Sequence, residues 1–370
     1  MSVIERPATA PGSLRSRLAR LGGLVTTPLV ASDYLDLFDP LRSPTDLRGR
    51  ILEIQPETAD AATLVIKPGR SWRGHVPGQY VRIGVDIDGI RRWRAYSVTS
   101  PTDRADGCIT VTVKAIPDGI VSNFLVRRAK PGLVVQLDQA TGDFTLPAQP
   151  PARLLFVTGG SGITPVMGML RSFLAPAGDA IDALDDVVLL HSALTPEDVI
   201  FGEELRGYAA AGQLRLIERH SDLDGLLTAD DIVALVGDIA DRETFVCGPA
   251  GLLELLESHW EATGRTDLLH TERFRPAIAA IGDGGTVTFT SSDVTVAADG
   301  SSPLLDVGEA AGVLMPSGCR MGICFGCVRP LREGAVRDLR TGDLTEASEG
   351  DGVLIQTCVS AAAGPCSIDI

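Results

Sequence analysis

The chain has 370 residues, a length at which two to four domains with their own hydrophobic cores are expected. Its net charge of −15 disfavours binding to nucleic acid, and it has no run of about twenty apolar residues that would predict a transmembrane segment. Seven cysteines could form disulfides, but no secretory signal is visible, so we predict reduced thiols and a cytoplasmic protein.

Residues 1–45 form an N-terminal extension before the first strand-like run. Between residues 13 and 30, three arginines precede the segment LGGLVTTPLV. One interpretation is a short surface helix that makes peripheral contact with a membrane or a membrane-bound partner. The Gly-Gly pair and the proline argue against a strong amphipathic anchor, which leaves a plain extension as the alternative.

Residues 46–148 have the pattern of a small antiparallel β-barrel. Short alternating runs are separated by Gly, Pro and Asp turns, and SNFLVRRA is the one helical stretch among them. The runs are RGRILEIQPE, ATLVIKPG, GQYVRIGVDIDG, RRWRAYSVTS, CITVTVKAI and VVQLDQATGDFTL.

One of these runs closes on the motif Arg94-Ala95-Tyr96-Ser97. On a strand, Arg94 and Tyr96 share one face. Arginine can hold a pyrophosphate with paired hydrogen bonds, tyrosine can lie flat on an aromatic ring, and a serine hydroxyl can bond a ring nitrogen. A four-residue motif can also arise by chance, with an exposed arginine and a core tyrosine.

The segment GIVSNFL at 119–125 opens the helical stretch, and a helix N-terminus with small residues suits a phosphate. Together, the two motifs resemble the flavin barrel of the ferredoxin–NADP⁺ reductase superfamily. The resemblance implies that Arg94 and Ser122 hold the phosphates, that Tyr96 stacks on the isoalloxazine, and that Ser97 faces its N5. It favours FAD over FMN, and the implied flavin-binding residues are Arg94, Tyr96, Ser97, Gly119, Val121 and Ser122.

Residues 149–280 alternate strands and helices, which predicts a doubly wound, parallel α/β domain. Its first strand ends in TGGSGITP, where Pro165 replaces the last glycine of a G-x-G-x-x-G fingerprint. A generic strand–helix turn is one reading. The turn also resembles the G-x-G-I-x-P turn of the same superfamily, which implies that it binds NADPH or NADH. The implied nucleotide-binding residues here are Gly159, Gly160, Gly162, Thr164 and Pro165.

Two further segments of this domain resemble the superfamily's hydride-transfer region. The turn Cys247-Gly248-Pro249 corresponds to the turn beside the nicotinamide, although a buried cysteine at a strand end is the plain alternative. In the closing strand HTERF, Glu272 corresponds to an acid that supports hydride transfer, and Phe274 to an aromatic near the flavin. The resemblance therefore implies Ser97, Cys247 and Glu272 as catalytic residues.

The choice between NADPH and NADH depends on the ends of the neighbouring strands. NADPH users of the superfamily often have Ser and Arg at this strand end, so the resemblance implies that Ser192 and, on the next strand, Arg219 meet a 2′-phosphate, whereas Leu194 stands where an arginine would have helped. No acidic residue ends the strand to bind a free ribose diol, so the sequence favours NADPH and leaves NADH open.

Residues 281–370 contain four cysteines, Cys319, Cys324, Cys327 and Cys358, spaced C-x4-C-x2-C with the fourth about thirty residues later. This is the ligand spacing of a plant-type [2Fe–2S] ferredoxin, which predicts an α+β domain of the β-grasp type. Zinc is the alternative, but structural zinc sites usually pair two close cysteine couples. In the loop around the first three cysteines, we expect Arg320, Met321 and Phe325 to be exposed for acceptor docking.

The order of flavin barrel, nucleotide domain and ferredoxin resembles the electron-transfer components of multicomponent oxygenases and acyl desaturases. The segment DYLDLFDPLRS resembles reductases that serve membrane desaturases and hydroxylases. The resemblance implies an NAD(P)H-dependent oxidoreductase that passes electrons through FAD and a [2Fe–2S] cluster to a terminal oxygenase, acyl desaturase or hydroxylase. A redox-sensing or regulatory flavin/iron–sulfur module is the alternative.

Overall fold

The computed structural model describes residues 39–43, 46–117, 119–147, 149–174, 186–274, 281–318, 320, 322 and 325–370. Residues 1–38, with most of the predicted N-terminal extension, lie outside the described residues, as do Cys319, Met321 and Cys324. No helix in the described part of the chain is both long and apolar enough to span a bilayer.

The first sheet is the predicted antiparallel barrel, with strand order β4-β3-β6-β1-β2-β5. It closes where Val98 bridges Val111 and the Thr99 amide donates to the Thr110 carbonyl at 2.8 Å. Alternate side chains of the strands fill its core. Its elements are β1 Arg48–Pro56, β2 Ala61–Pro68, β3 Tyr80–Ile87, β4 Ile90–Ser97, β5 Ile109–Lys114, α1 Ile120–Arg127 and β6 Val134–Leu137.

The second sheet is parallel, with strand order β11-β10-β7-β8-β9, as predicted for a doubly wound domain. Alternate residues of β7 enter two separate cores, so Phe156 packs on one face of the sheet and Leu155 on the other. Its elements are β7 Arg153–Gly159, α2 Ile163–Phe173, β8 Asp186–Ala193, α3 Gly202–Ala210, β9 Arg215–His220, α4 Ser221–Asp224, α5 Ala229–Val236, β10 Glu243–Cys247, α6 Ala250–Thr263 and β11 Leu269–Glu272.

The third sheet is mixed, with strand order β13-β12-β17-β14-β15 and β16 paired to β14. The β12–β17 pair is parallel and the others are antiparallel, and Leu304 and Leu305 of the single described helix pack into its core. This is the predicted α+β ferredoxin fold. Its elements are β12 Gly285–Phe289, β13 Val294–Ala298, α7 Leu304–Ala310, β14 Val328–Asp338, β15 Leu344–Ala347, β16 Leu354–Gln356 and β17 Ser360–Ile368.

Helix α2 joins the barrel to the nucleotide domain. A Cβ atom at Gly168 would lie 2.4 Å from the carbonyl oxygen of Val98, so only glycine allows this approach. Arg171 donates to the carbonyl of Thr99 at 2.8 Å and pairs with Glu204 at 2.6 Å. Helix α2 is therefore held beside the end of β4, which carries Ser97.

Candidate functional site

The end of β4 presents the predicted flavin motif. Ser97 is 4 % exposed, and its Oγ has no hydrogen-bond partner among the described residues. Burial raises the pKa of Tyr96, and it lowers the pKa of Arg94 to about 10, helped by the nearby charge of Arg320. Arg94 and Tyr96 lie on one face of the strand, as the alternation requires. A buried hydroxyl without a partner suits a ligand that supplies a polar atom, such as the ring nitrogen of a flavin.

The turn before α1 is stabilised by hydrogen bonds of the Ser122 hydroxyl with backbone groups of the same turn. The Ser122 hydroxyl donates to the Gly119 carbonyl at 3.2 Å and accepts from the Ile116 amide at 3.3 Å. Val121 is 1 % exposed and packs in the barrel core. No side chain caps the helix at Gly119, so the free groups at this end are backbone amides. Ser122 and Val121 thus shape the turn, and their predicted contact with a phosphate would be made by backbone amides.

A cleft of about 400 Å³ opens beside this turn. Three arginines and one aspartate supply its charge, so it is positive and suits a phosphate-bearing ligand. Its lining residues are Asp88, Arg92, Gly119, Ile120, Asn123, Arg127 and Arg128.

The glycine-rich turn is packed directly against the turn that follows β10. A Cβ atom at Gly162 would lie 2.0 Å from the Cys247 carbonyl oxygen, and one at Gly159 would lie 2.6 Å from a ring carbon of Pro249. Gly160 faces open space with φ +52°, a conformation that glycine adopts readily. The structure therefore brings together the two motifs that the sequence placed about ninety residues apart.

Thr164 and Pro165 lie in the first turn of α2, and both are buried. The Thr164 hydroxyl donates to the Ser161 carbonyl at 2.9 Å, so it stabilises the turn from inside. Pro165 costs no hydrogen bond at this place, because the first amides of a helix have no helical partner. Nucleotide contact by these two residues remains a prediction.

Cys247 and Glu272 are neighbours on adjacent parallel strands. The Cys247 thiol is fully buried and donates to the Glu272 carboxyl at 4.0 Å. Burial raises the pKa of Glu272 to about 8 and raises the pKa of Cys247 well above its ordinary value. Carboxyl groups with such pKa values are typical of functional sites, so this pair suits the predicted hydride-transfer region. Phe274, two residues further on, is 38 % exposed.

Ser192 and Arg219 are paired in register on β8 and β9, at the carboxyl edge of the sheet. The structure thus brings together the two residues predicted to meet a 2′-phosphate. The Arg219 guanidinium already has a partner, since it donates to the Asp224 carbonyl at 3.1 Å and lies 3.5 Å from the Asp224 carboxylate. A phosphate would compete with this aspartate for the guanidinium group.

Cys327 and Cys358 are buried, and their sulfur atoms lie 3.1 Å apart. Thr357, next to Cys358, donates its hydroxyl to the Cys327 carbonyl at 3.0 Å and so ties the two segments together. Cys319 and Cys324, the other two predicted ligands, lie outside the described residues. A convergent pair of buried thiols fits a four-cysteine iron–sulfur site.

Arg340 and Gln356 anchor the loop of the cluster and were not predicted. Both donate to the Gly322 carbonyl, at 3.1 Å from Arg340 and 2.9 Å from Gln356. Arg340 is oriented in turn by the Asp338 carboxylate at 2.7 Å. Gly322 has φ +75°, and a Cβ atom there would collide with the Arg340 guanidinium. The only sequence signal was the closeness of Gln356 to Cys358.

We expect Arg340→Ala to weaken this loop, because the charge-assisted hydrogen bond to the Gly322 carbonyl is lost together with the bonds to Asp338 and Gln356. The expected cost is about 1–3 kcal/mol in the free energy of unfolding, together with several-fold faster bleaching of cluster absorbance in air. The control is Arg332→Ala, since Arg332 is 53 % exposed and pairs with Asp369 at the surface. Equal bleaching rates in the two variants would contradict the anchoring role.

The prediction that Arg320 is exposed was wrong. Its side chain is only 19 % exposed, because it turns towards α7 and pairs with Asp306 at 2.8 Å and with Glu309. Phe325 is 69 % exposed, as expected, and has φ +56°. Of these two loop residues, Phe325 is therefore the one that is free to meet an acceptor.

Comparisons with known proteins identify the families of two of these domains. Residues 52–146 match the family described as an oxidoreductase FAD-binding domain, and residues 287–363 match the 2Fe-2S iron-sulfur cluster binding domain. The chain is 48 % identical over 358 residues to an "NADPH oxidoreductase" of Mycobacterium tuberculosis (strain ATCC 25618 / H37Rv), covering 95 % of this chain and 92 % of the relative.

Two further proteins are similar to most of the chain. The ferredoxin reductase component of a 3-ketosteroid-9-alpha-monooxygenase from Mycobacterium tuberculosis is 31 % identical, covering 83 % of this chain and 90 % of that protein. The solved structure of phthalate dioxygenase reductase has a TM-score of 0.59 at 21 % identity, covering 88 % of this chain and 98 % of that one. The latter likeness concerns the fold.

Proposed function

This chain belongs to the family of ferredoxin reductases that join an FAD-binding oxidoreductase domain to a C-terminal 2Fe-2S domain, and we propose that it takes electrons from NADPH and delivers them to a terminal oxygenase. When bound, the flavin accepts a hydride and the cluster releases single electrons. The observation that carries the proposal is that α2, which follows the nucleotide turn, packs on Val98, next to a Ser97 hydroxyl that has no hydrogen-bond partner among the described residues.

The chain's own residues have separable roles in this proposal. Arg94 and the amides at the start of α1 would bind the flavin phosphates, and Ser97 would bond the ring. The turns at Gly162 and Cys247 would position the nicotinamide, since orientation of two reactants is itself a large part of catalysis. The cysteine set would hold the cluster, and its buried surroundings would set the reduction potential.

A visible spectrum and two acceptors test the proposal. The purified protein should show flavin and [2Fe–2S] bands together, and NADPH should bleach both under anaerobic conditions. Both cytochrome c and ferricyanide should be reduced. A colourless protein would contradict it. A coloured protein that is reduced by NADPH but passes no electrons to either acceptor would favour a redox-sensing module instead.

NADPH is proposed over NADH because Ser192 and Arg219 lie side by side at the nucleotide edge of the sheet. We expect Arg219→Ala to raise KM for NADPH roughly tenfold and to leave KM for NADH nearly unchanged, because only NADPH carries the 2′-phosphate. The control is Arg215→Ala at the other end of β9, whose guanidinium donates to the Leu235 carbonyl. Equal changes for both nucleotides would contradict the assignment.

The acceptor is proposed to dock at the loop of the cluster, where Phe325 is exposed. The monooxygenase component among the relatives supports an oxygenase partner, and an acyl desaturase or hydroxylase is the finer alternative. We also propose a cytoplasmic location, with peripheral contact to a membrane-bound acceptor. The proposed use of four cysteines as cluster ligands supports this location, because such thiols must stay reduced. Reconstitution with candidate oxygenases and desaturases identifies the partner, and Phe325→Ala should weaken that coupling.

A further inference from the structure

Two acidic residues of α7 face two arginines of β4 across the boundary between the ferredoxin domain and the barrel. Asp306 and Glu309 are three positions apart in the helix and so share one side. Arg92 and Arg94 are two positions apart in the strand and so share one face. The Glu309 carboxylate lies 3.8 Å from the Arg92 guanidinium.

A third arginine joins these four charged side chains from the loop of the predicted iron–sulfur site. Arg320 pairs with Asp306 at 2.8 Å and also with Glu309. Burial lowers the pKa of Arg94 and the nearby charge of Arg320 lowers it further, whereas Glu309 acts in the opposite direction. Glu309 therefore contacts one arginine of the barrel and one arginine of the loop.

This group of charged side chains is partly buried, but salt ions can still screen it. The side chains of Arg92, Arg320 and Glu309 are 21 %, 19 % and 22 % exposed. Charges in such places interact more strongly than fully exposed pairs. Without Glu309, three arginines from two domains would face each other with Asp306 alone between them, and they would repel. The acid is thus placed to decide whether the two domains stay together.

We propose that Glu309 holds the ferredoxin domain on the flavin barrel by pairing with Arg92 and Arg320 at once. It is a positioning residue, because it touches neither substrate nor cofactor in this assignment. The docking itself follows from the contacts alone. Its effect on electron delivery rests, in addition, on the proposed function.

The docking is tested in the full-length protein by hydrogen exchange and small-angle X-ray scattering. In Glu309→Gln, amides of α7 and β4 should exchange several-fold faster and the radius of gyration should increase. Arg92→Ala should act in the same direction. The double variant should add little, because each change removes the same Glu309–Arg92 pair. Glu346→Gln is the control, since Glu346 is exposed on β15 and has no ion pair among the described residues.

Salt provides a second test that needs no variant. Raising NaCl from about 50 mM to about 500 mM should produce the same changes in the wild-type protein and smaller ones in Glu309→Gln. Unchanged exchange and scattering in Glu309→Gln, or a strictly additive double variant, would overturn the proposal.

The functional consequence is measured separately, at matched flavin and cluster content. Glu309→Gln should lower NADPH-dependent reduction of cytochrome c several-fold and leave ferricyanide reduction unchanged. If the domains separate but cytochrome c reduction is unaffected, the docking role stands and the proposed electron route fails. If cytochrome c reduction falls while the domains stay docked, the docking role fails and the route stands.

Discussion

Replacing Cys358 by serine is expected to reduce NADPH-dependent cytochrome c reduction by roughly a hundredfold or more, while ferricyanide reduction continues. Cys358 is 4 % exposed and its sulfur lies 3.1 Å from that of Cys327, so a lost thiolate cannot be replaced by water without opening the core. The visible bands of the cluster should disappear and those of the flavin should remain. Stopped-flow absorbance with each acceptor measures both effects.

Cys366→Ser is the matched control for this experiment. Cys366 is also 4 % exposed and lies in the core of the same domain, and burial raises the pKa of its thiol to about 11. It is an inert thiol outside the ligand spacing. The control should keep the cluster bands and both activities. If Cys358→Ser lost the two activities equally, or kept both, the cluster would not be the exit for electrons.

The fold and its order of domains could be predicted because each rests on local patterns. Alternating runs separated by turns predicted the barrel, strand–helix alternation predicted the parallel sheet, and cysteine spacing predicted the third domain. Gly162 shows how a motif encodes packing. The Cys247 carbonyl leaves no room for a side chain at this position, so the packing of the two turns explains a glycine in the motif.

Side-chain direction could not be predicted in the same way. Ser122 turns into its own loop, and Arg320 turns towards α7, because the partners that the folded chain brings near decide where each polar group is satisfied. Arg340, in the turn after β14, and Gln356, on β16, reach Gly322 from positions 18 and 34 residues away. No local pattern marks such contacts, and the pairing of Glu309 with Arg92 depends in addition on how two domains meet.

Glu272→Gln is expected to slow hydride transfer from NADPH most strongly at alkaline pH. Glu272 ends β11 beside the Cys247 thiol, and burial raises the pKa of its carboxyl to about 8. Below that pH the group is mostly neutral, and above it a negative charge stands near the turn that the resemblance assigns to the nicotinamide. Because the nicotinamide ring gains positive charge as it gives up hydride, the ionised carboxylate should favour the reaction.

The wild-type rate of hydride transfer should therefore rise as the pH passes through about 8. Glu272→Gln cannot ionise, so its profile should be flat and its rate at pH 9 lower by roughly tenfold to a hundredfold. Anaerobic stopped-flow bleaching of flavin absorbance by NADPH measures the rate directly. Glu243→Gln is the control, because Glu243 lies at the opposite end of β10, where it pairs with His270 at 2.7 Å.

The Glu272 carboxyl should also make the free energy of unfolding depend on pH, whether or not the nucleotide is bound. Its pKa is about 8 in the folded chain and near its ordinary value of 4.5 in the unfolded chain. Between these values the folded state binds the extra proton, so the free energy of unfolding falls as pH rises from 4.5 to 8 and levels off above. Glu272→Gln should lack this contribution, and its stability advantage over the wild type should grow across that range in chemical denaturation. A constant difference from pH 5 to pH 9 would show that Glu272 is ionised throughout, and the kinetic profile would then need another titrating group.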